Sequence, residues 1–246
     1  VPRRGAGVRL LKILVGMFVF NEGEKFRTLL DDPAWKSLDC DLLVLDDGSS
    51  DGAAALCAER GVRVLSNERN MGVGYSIRRF LDEARAGGYE AVVIMAGNGK
   101  MPPSDIPAFL DKLAAGCDYV QGSRFLHGFR SPNLPLGRLL AIRLGTAFFN
   151  LFLANHYTDL SCGFRAYRIA PLFEDGRIDI RQDWLDRYEL EYYIHFKFDR
   201  LGYRVAEAPC HMRYPKSGKN YTKIKPFVGW WSMLRPWFYL ILGLKK

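Results

Sequence analysis

No pair of cysteines in this chain stands at C-x-x-C spacing, and its four histidines form neither an H-E-x-x-H pair nor a Cys/His cluster. Those absences argue against a zinc site. The five cysteines, Cys40, Cys57, Cys117, Cys162 and Cys210, are scattered singly and read as buried free thiols of a reducing cytoplasm. No stretch approaches the ~20 apolar residues that span a bilayer. The first ten residues carry three arginines but no long apolar core followed by small residues, so they do not read as a signal peptide. Internal repeats and low-complexity segments are also missing. Acidic residues are in the minority, 27 Asp and Glu against 35 Lys and Arg, which leaves a net charge of +8. That excess favours anionic partners: nucleotide diphosphates, lipid phosphates, a membrane surface or nucleic acid. Nucleic acid fits worst, because the charge is not concentrated on one predicted helix and no recognition motif is present.

What is present is an ordinary globular composition. The 246 residues are 48% hydrophobic and 25% charged, enough for one large α/β domain. Residues 13–20 (ILVGMFVF), 41–45 (DLLVL) and 91–95 (AVVIM) are unbroken apolar runs, the pattern of strands buried on both faces. Residues 62–65 and 119–121 read as shorter strands. Helical stretches separate them, over residues 22–30, 53–60, 74–86 and 105–114. This alternation predicts a mostly parallel sheet covered by helices, with ligands bound beyond the carboxyl ends of the strands. Asn21–Glu22, Asp46–Asp47 and residues 96–100 fall there. Beyond residue 125 the pattern changes to longer helices, over 139–153 and 184–201.

Five landmarks occur in order: F-N-E at Phe20–Glu22, D-D-G-S-S-D-G from Asp46 to Gly52, N-x-G-x-G from Asn70 to Gly74, G-S-R at Gly122–Arg124, and G-F-R-A-Y from Gly163 to Tyr167. Together they resemble the family 2 glycosyltransferases, in particular the dolichyl- and polyprenyl-phosphate mannosyltransferase branch. The resemblance runs from about residue 12 to about residue 225. It implies a Rossmann-like GT-A fold, a nucleoside-diphosphate sugar donor and inversion at the anomeric carbon. It places Asp47 on the nucleoside, with Phe20, Glu22, Asp46 and Gly72 around the nucleotide. Residue chemistry alone leaves other roles open. D-D-G-S-S-D-G can be a turn whose amides are capped by Asp and Ser. The glycines of N-x-G-x-G can belong to a plain helix-start loop, or can let backbone approach a ligand closely.

One departure stands out. Family members usually carry D-x-D-x-Q after the third apolar strand, and the two aspartates hold a divalent cation on the donor pyrophosphate. Here the segment reads Ala96-Gly97-Asn98-Gly99-Lys100. Hard cations depend on carboxylate oxygens, and Asn98 offers only an amide oxygen. A Mg or Mn ion would need ligands from other residues, so no metal site is assigned. A leaving nucleoside diphosphate still requires positive charge. Lys100, with Arg124 and lysines of the tail, is expected to supply it. A chain that binds nucleotide but has lost catalysis is the competing reading.

In the second half the resemblance implies that Arg124 and Arg138 hold an acceptor phosphate, although Arg138 can equally be a solvated helix residue. Asp159, in T-D-L-S-C-G-F-R, is the candidate to bind a sugar hydroxyl or to act as base. A phosphate acceptor needs no base, whereas a hydroxyl acceptor does. Glu189 and Glu191 are two apart on a predicted helix and cannot share a face; Glu189 is a second candidate base. Lys216 and Lys223 lie in a basic segment between prolines that could close over phosphates. These assignments divide the chain into a catalytic domain, 1–225, and an aromatic, basic tail, 226–246. The tail can lie on a membrane interface, pack on the domain or form a dimer contact. The expected enzyme is cytoplasmic or peripheral on the cytoplasmic membrane face. It takes a polyprenyl phosphate, or alternatively a soluble metabolite or glycan.

Overall fold

The computed structural model describes residues 11–126, 131–214 and 228–245. Seven strands form one sheet: β1 (Ile13–Val19), β2 (Asp41–Asp46), β3 (Arg63–Ser66), β4 (Ala91–Ala96), β5 (Tyr119–Ser123), β6 (Arg165–Arg168) and β7 (Val205–Pro209). Their order is β3-β2-β1-β4-β6-β5-β7. All neighbours pair parallel except β6, which runs antiparallel to both β4 and β5. Among the described residues the helices are α1 (Glu24–Leu30), α2 (Ala53–Glu59), α3 (Val73–Ala86), α4 (Ile106–Ala114), α5 (Leu136–Phe149), α6 (Ala170–Glu174), α7 (Glu189–Arg200) and α8 (Val228–Ile241).

The unbroken apolar runs are buried on both faces because both faces carry helices. Side chains alternate across a strand. In β1, Ile13, Val15, Met17 and Val19 therefore enter one core with Phe26 of α1, Leu56 of α2 and Phe109 of α4. Leu14 points into the opposite core, which is filled by Ile77, Phe80 and Leu81 of α3 and Tyr193 and Phe198 of α7. A third, smaller cluster joins Phe149 of α5, Tyr192 of α7 and Trp237 of α8.

The five strands read from sequence are all present, with ends shifted by two residues at most. Two strands have no apolar run to reveal them. β6 is Arg-Ala-Tyr-Arg with its first arginine buried, and β7 is Val-Ala-Glu-Ala-Pro. The helix expected over 184–201 is broken, with a 3₁₀ turn at Asp183–Leu185 and α7 starting only at Glu189. The break has a cause in packing: the Asp186 carbonyl accepts a hydrogen bond from the Tyr75 amide, 3.0 Å. The α5 helix begins at Leu136 and ends at Phe149, three to four residues earlier than expected. In the tail, α8 packs on α7. Trp237 stacks on Phe149 with centroids 5.3 Å apart, and Arg235 Nε donates to the buried Glu189 carboxylate at 2.9 Å.

Gly16, in the middle of β1, is set by the α3 side of the sheet. A Cβ there would stand 2.8 Å from the ring of Phe80, which itself meets Phe18 edge-on. Gly16→Val is expected to destabilise the chain by about 1–3 kcal/mol, as overpacked cores do. Urea unfolding of Gly16→Val and of Gly16→Val/Phe80→Leu measures it. The second change should recover part of the loss, and equal stabilities for the two variants would contradict the clash.

Candidate active site

The loops after β1, β2 and β4 meet at the carboxyl edge of the sheet and fasten to one another. The Asn21 amide donates to Ser49 Oγ at 3.0 Å, and the Asn21 side-chain oxygen accepts from the Ser50 amide at 2.8 Å. The Gly23 amide donates to Asp51 at 2.7 Å. Asp46 caps its own turn, accepting from the Ser49 amide at 2.9 Å. Asp47 reaches across to the N-x-G-x-G segment. Its carboxylate accepts from Asn67 Nδ2 (2.7 Å), the Met71 amide (2.9 Å), the Gly72 amide (3.0 Å) and Ser76 Oγ (3.2 Å). The glycines of that segment answer to a neighbouring backbone. A Cβ on Gly72, whose φ is +100°, would lie 2.5 Å from the Asp186 carbonyl, and one on Gly74 would collide with the Leu185 carbonyl.

Past β4, the Asn98 side-chain oxygen accepts from the Lys100 amide at 3.2 Å, and Gly99 turns with φ +73°. Lys100 is half-buried, and its ammonium pKa is pushed down to about 8. Burial is the largest cause; Arg138, Lys25 and Arg124 add repulsion while Glu22 opposes them. The carboxylates facing this space are Glu22, Asp47 and Glu191. Glu22 stands 3.6 Å from Lys25, Asp47 is occupied by four donors, and Glu191 is bound by Arg165. Among the described residues no group of three His, Cys, Asp or Glu side chains is placed to hold an ion. This donor set does not fit a hard divalent cation.

Asp159 and Arg124 are buried against each other. Arg124 Nε and Nη2 donate to the two carboxylate oxygens at 2.6 and 2.8 Å. Burial opposes the Arg124 charge, and Asp159 outweighs it and holds the guanidinium fully charged. Arg124 also donates to Tyr214 Oη at 2.9 Å and to Ser161 Oγ. Lys100 Nζ and the Arg138 guanidinium both lie near the Tyr214 ring, 5.7 and 5.8 Å from its centroid. On α7 the two glutamates separate, as their spacing requires. Glu189 turns away and is 1% exposed on Arg235, so it does not reach the site as the candidate base. Glu191 faces inward, and burial raises its carboxyl pKa while Arg165 opposes the rise.

These loops enclose a cavity of about 450 Å³. Of the residues singled out in the sequence, Phe20, Glu22, Asp47, Gly72, Asn98 and Lys100 line it. Asp46, Arg124, Arg138 and Asp159 do not line it, and Lys216 and Lys223 lie outside the described residues. Sequence reasoning missed Arg165, Arg187 and Tyr188 as lining residues. Arg165 was visible in G-F-R-A-Y, but nothing marked β6 as a strand. Arg187 and Tyr188 were hidden inside a helix expected to be continuous.

The sequence model of glycosyl transferase family 2 matches residues 15–174, a span containing every loop that closes this cavity except those around α7. The chain belongs to that family. Polyprenol monophosphomannose synthase of Mycolicibacterium smegmatis is 29% identical to it over 174 residues, 68% of this chain and 64% of that protein. Undecaprenyl-phosphate mannosyltransferase of Micrococcus luteus is 28% identical over 204 residues, 81% and 82% of the two chains. This chain thus spans just under two thirds of the mycobacterial relative and most of the Micrococcus one. Among solved structures, glucosyl-3-phosphoglycerate synthase from Mycobacterium tuberculosis superposes with a TM-score of 0.66 at 19% identity, over 96% of this chain and 80% of that one. That structure holds Mn²⁺, uridine diphosphate and phosphoglyceric acid. The likeness establishes the expected GT-A class of fold for this family 2 member.

The Arg124–Asp159 pair gives a stability test. Asp159→Asn leaves a buried guanidinium without its counter-charge, which typically costs about 3–5 kcal/mol. Chemical denaturation should show a loss of that size, and Arg124→Met/Asp159→Asn should recover much of it. A loss below about 1 kcal/mol, the scale of an exposed pair, would contradict the burial described.

Proposed function

We propose that this chain transfers a sugar from a nucleoside-diphosphate donor to a polyprenyl phosphate, with inversion. One juxtaposition carries the reading. Arg138 of α5 and Lys100 both lie near the Tyr214 ring, and the same helix exposes an apolar stripe. Leu136, Leu140, Leu144, Phe148 and Leu151 are 69, 53, 71, 45 and 76% exposed. The first four, spaced four apart, share one face of α5, and Leu151 follows just past its end. Trp231 and Leu234 of α8 extend the exposed apolar surface, with Phe238 packed against Phe148 at 6.2 Å between centroids. Cations at the head of an exposed apolar face suit a lipid phosphate whose chain lies along a membrane interface. Among the described residues no helix is long and apolar enough to cross a membrane. The names of the two mannosyl-transferring relatives agree with this acceptor class.

In this reaction an acceptor phosphate oxygen attacks the anomeric carbon from the face opposite the diphosphate. The new C–O bond forms as the bond to the diphosphate breaks, and the leaving nucleoside diphosphate takes the electron pair. The acceptor is already an anion, so no proton has to be removed. Lys100 stands at the turn where the donor diphosphate is placed, and its ammonium offsets the charge that develops there. A second reading has its own observation: Glu191 is a cavity-lining carboxylate with a raised pKa, suited to deprotonate a hydroxyl acceptor.

Incubation with labelled nucleoside-diphosphate sugars and undecaprenyl phosphate in vesicles separates the readings. The label should enter the organic phase. Leu140→Glu/Leu144→Glu should cut that transfer about tenfold or more, since each leucine contributes about 1.5–3 kcal/mol when buried, and should leave donor binding unchanged. Label appearing only on a water-soluble hydroxyl compound would favour the Glu191 reading. Donor binding with no transfer to any acceptor would point to a chain that has lost catalysis.

Lys100 adds a pH dependence. Above about pH 8 the free protein loses this charge, whereas a bound diphosphate favours the charged form. Nucleoside-diphosphate affinity should be flat from about pH 7, where the terminal phosphate is ionised, to about 8, and weaken above it, by at most about tenfold per pH unit. Lys100→Arg should abolish the break, and titration calorimetry across the range reads it. The same shift acts oppositely on folding. Between about 8 and the ordinary 10.5, the unfolded chain binds the proton more tightly, so stability contributed by this group rises with pH.

A further inference from the structure

The cavity is lined by three cationic side chains, Lys100, Arg165 and Arg187. Arg165 is held by Glu191 and by Gln121 Oε1, the latter at 3.0 Å. Arg187 differs: among the described residues its guanidinium makes no ion pair or hydrogen bond, and it is exposed. The backbone that carries it is nevertheless fixed. Asp186 accepts from the Tyr75 amide at 3.0 Å, and its carboxylate pairs with Arg78, a side chain only 12% exposed. Gly72 and Gly74 admit the carbonyls of residues 185–187 so closely that no side chain fits between the two segments. Arg187 Cγ itself would stand 3.3 Å from a Cβ on Gly72. The start of α3 therefore acts as a seat that delivers to the cavity a guanidinium with no ion pair or hydrogen bond among the described residues. The break between the 3₁₀ turn and α7 exists where that seat is made.

A donor diphosphate bridge bears a negative charge on each of its two phosphoryl groups. Family members usually meet them with a divalent ion, and the carboxylates for one are missing from the Ala96–Lys100 turn. A single lysine supplies half of what such an ion would. Arg124, the sequence-based candidate for the other half, is committed to Asp159, Tyr214 and Ser161. Resting on the donor class proposed above, we infer that Arg187 is the second cation of a metal-free diphosphate clamp, working with Lys100 from a different element of the cavity wall. A guanidinium presents a planar fork of donors that fits two phosphate oxygens at once, which a lysine cannot do. Arg187 touches the leaving group in this arrangement, so it contributes to the departure of the nucleoside diphosphate as well as to donor binding. Arg187 and its neighbour Tyr188 both line the cavity.

Titration calorimetry with uridine diphosphate and guanosine diphosphate, each in excess EDTA, tests this with uridine and guanosine as controls. The wild type should bind one of the diphosphates without metal. Arg187→Gln should weaken that diphosphate by about tenfold to a hundredfold while leaving the matching nucleoside unchanged, and Arg187→Lys should recover part of the loss. Because the side chain is exposed, the variant's melting temperature should match the wild type. Three results would overturn the clamp: Arg187→Gln binding the diphosphate as tightly as wild type, equal losses for nucleoside and diphosphate, or a wild type that binds only with Mg²⁺ or Mn²⁺ present. In those cases a nucleotide-sugar donor survives. Failure of the wild type to bind either diphosphate under any condition would instead remove the donor class, and the clamp with it.

Discussion

The Asp159–Arg124 pair ties together, beyond the strands themselves, three segments that flank neighbouring strands of the sheet. Arg124 follows β5, Asp159 leads into the turn before β6, and Tyr214 lies beyond β7. A guanidinium and a carboxylate withdrawn from water are stable only as a pair with their remaining donors satisfied. The surroundings supply this. Glu207 of β7 accepts from the Thr158 amide at 2.9 Å and the Asp159 amide at 3.1 Å, fixing the turn from behind. Ser161 in turn faces the cavity. Through Ser161 and Tyr214 the pair is tied to the cavity lining and to the ring beside Lys100 and Arg138, so two residues read from sequence as reacting groups also hold the fold together there.

That exchange shows what was legible and what was not. Strands buried on both faces announce themselves as apolar runs, so β1, β2 and β4 and the loops at their ends were visible, and with them Phe20, Asp47, Asn98 and Lys100. β6 was not, because a strand whose first residue is a buried arginine carries no hydrophobic signal. A motif also does not say which way its side chains face. D-D-G-S-S-D-G was readable either as a capped turn or as a nucleotide contact, and the two aspartates divide those positions: Asp46 caps the turn and Asp47 lines the cavity. The glycines of N-x-G-x-G suggested a close approach, and the approach is real, but the partner is the backbone of residues 185–187. No local pattern could identify a partner more than a hundred residues away.

Placing Lys100 beside Arg138, Lys25 and Arg124 is unfavourable in the absence of a ligand. Burial disfavours the ammonium, and three neighbouring cations disfavour it further, with Glu22 the opposing charge. Buried cations with shifted pKa values cluster at functional sites. An anion entering among these cations relieves their mutual repulsion while forming its own contacts, so part of its binding free energy comes from strain already present in the empty site. A divalent ion held by aspartates works by the same logic with the signs exchanged, because the carboxylates are unfavourable neighbours until the ion arrives. Replacing Asp by Ala96 and Asn98 and placing a lysine at position 100 are therefore coherent as a set. Retaining either carboxylate would have neutralised the lysine that the turn now presents. The same electrostatics orders the proposed reaction. The donor diphosphate and the acceptor phosphate repel each other, and in that reaction cations on separate elements, Lys100 past β4 and Arg138 on α5, both near the Tyr214 ring, allow both anions to be held close without sharing one charge.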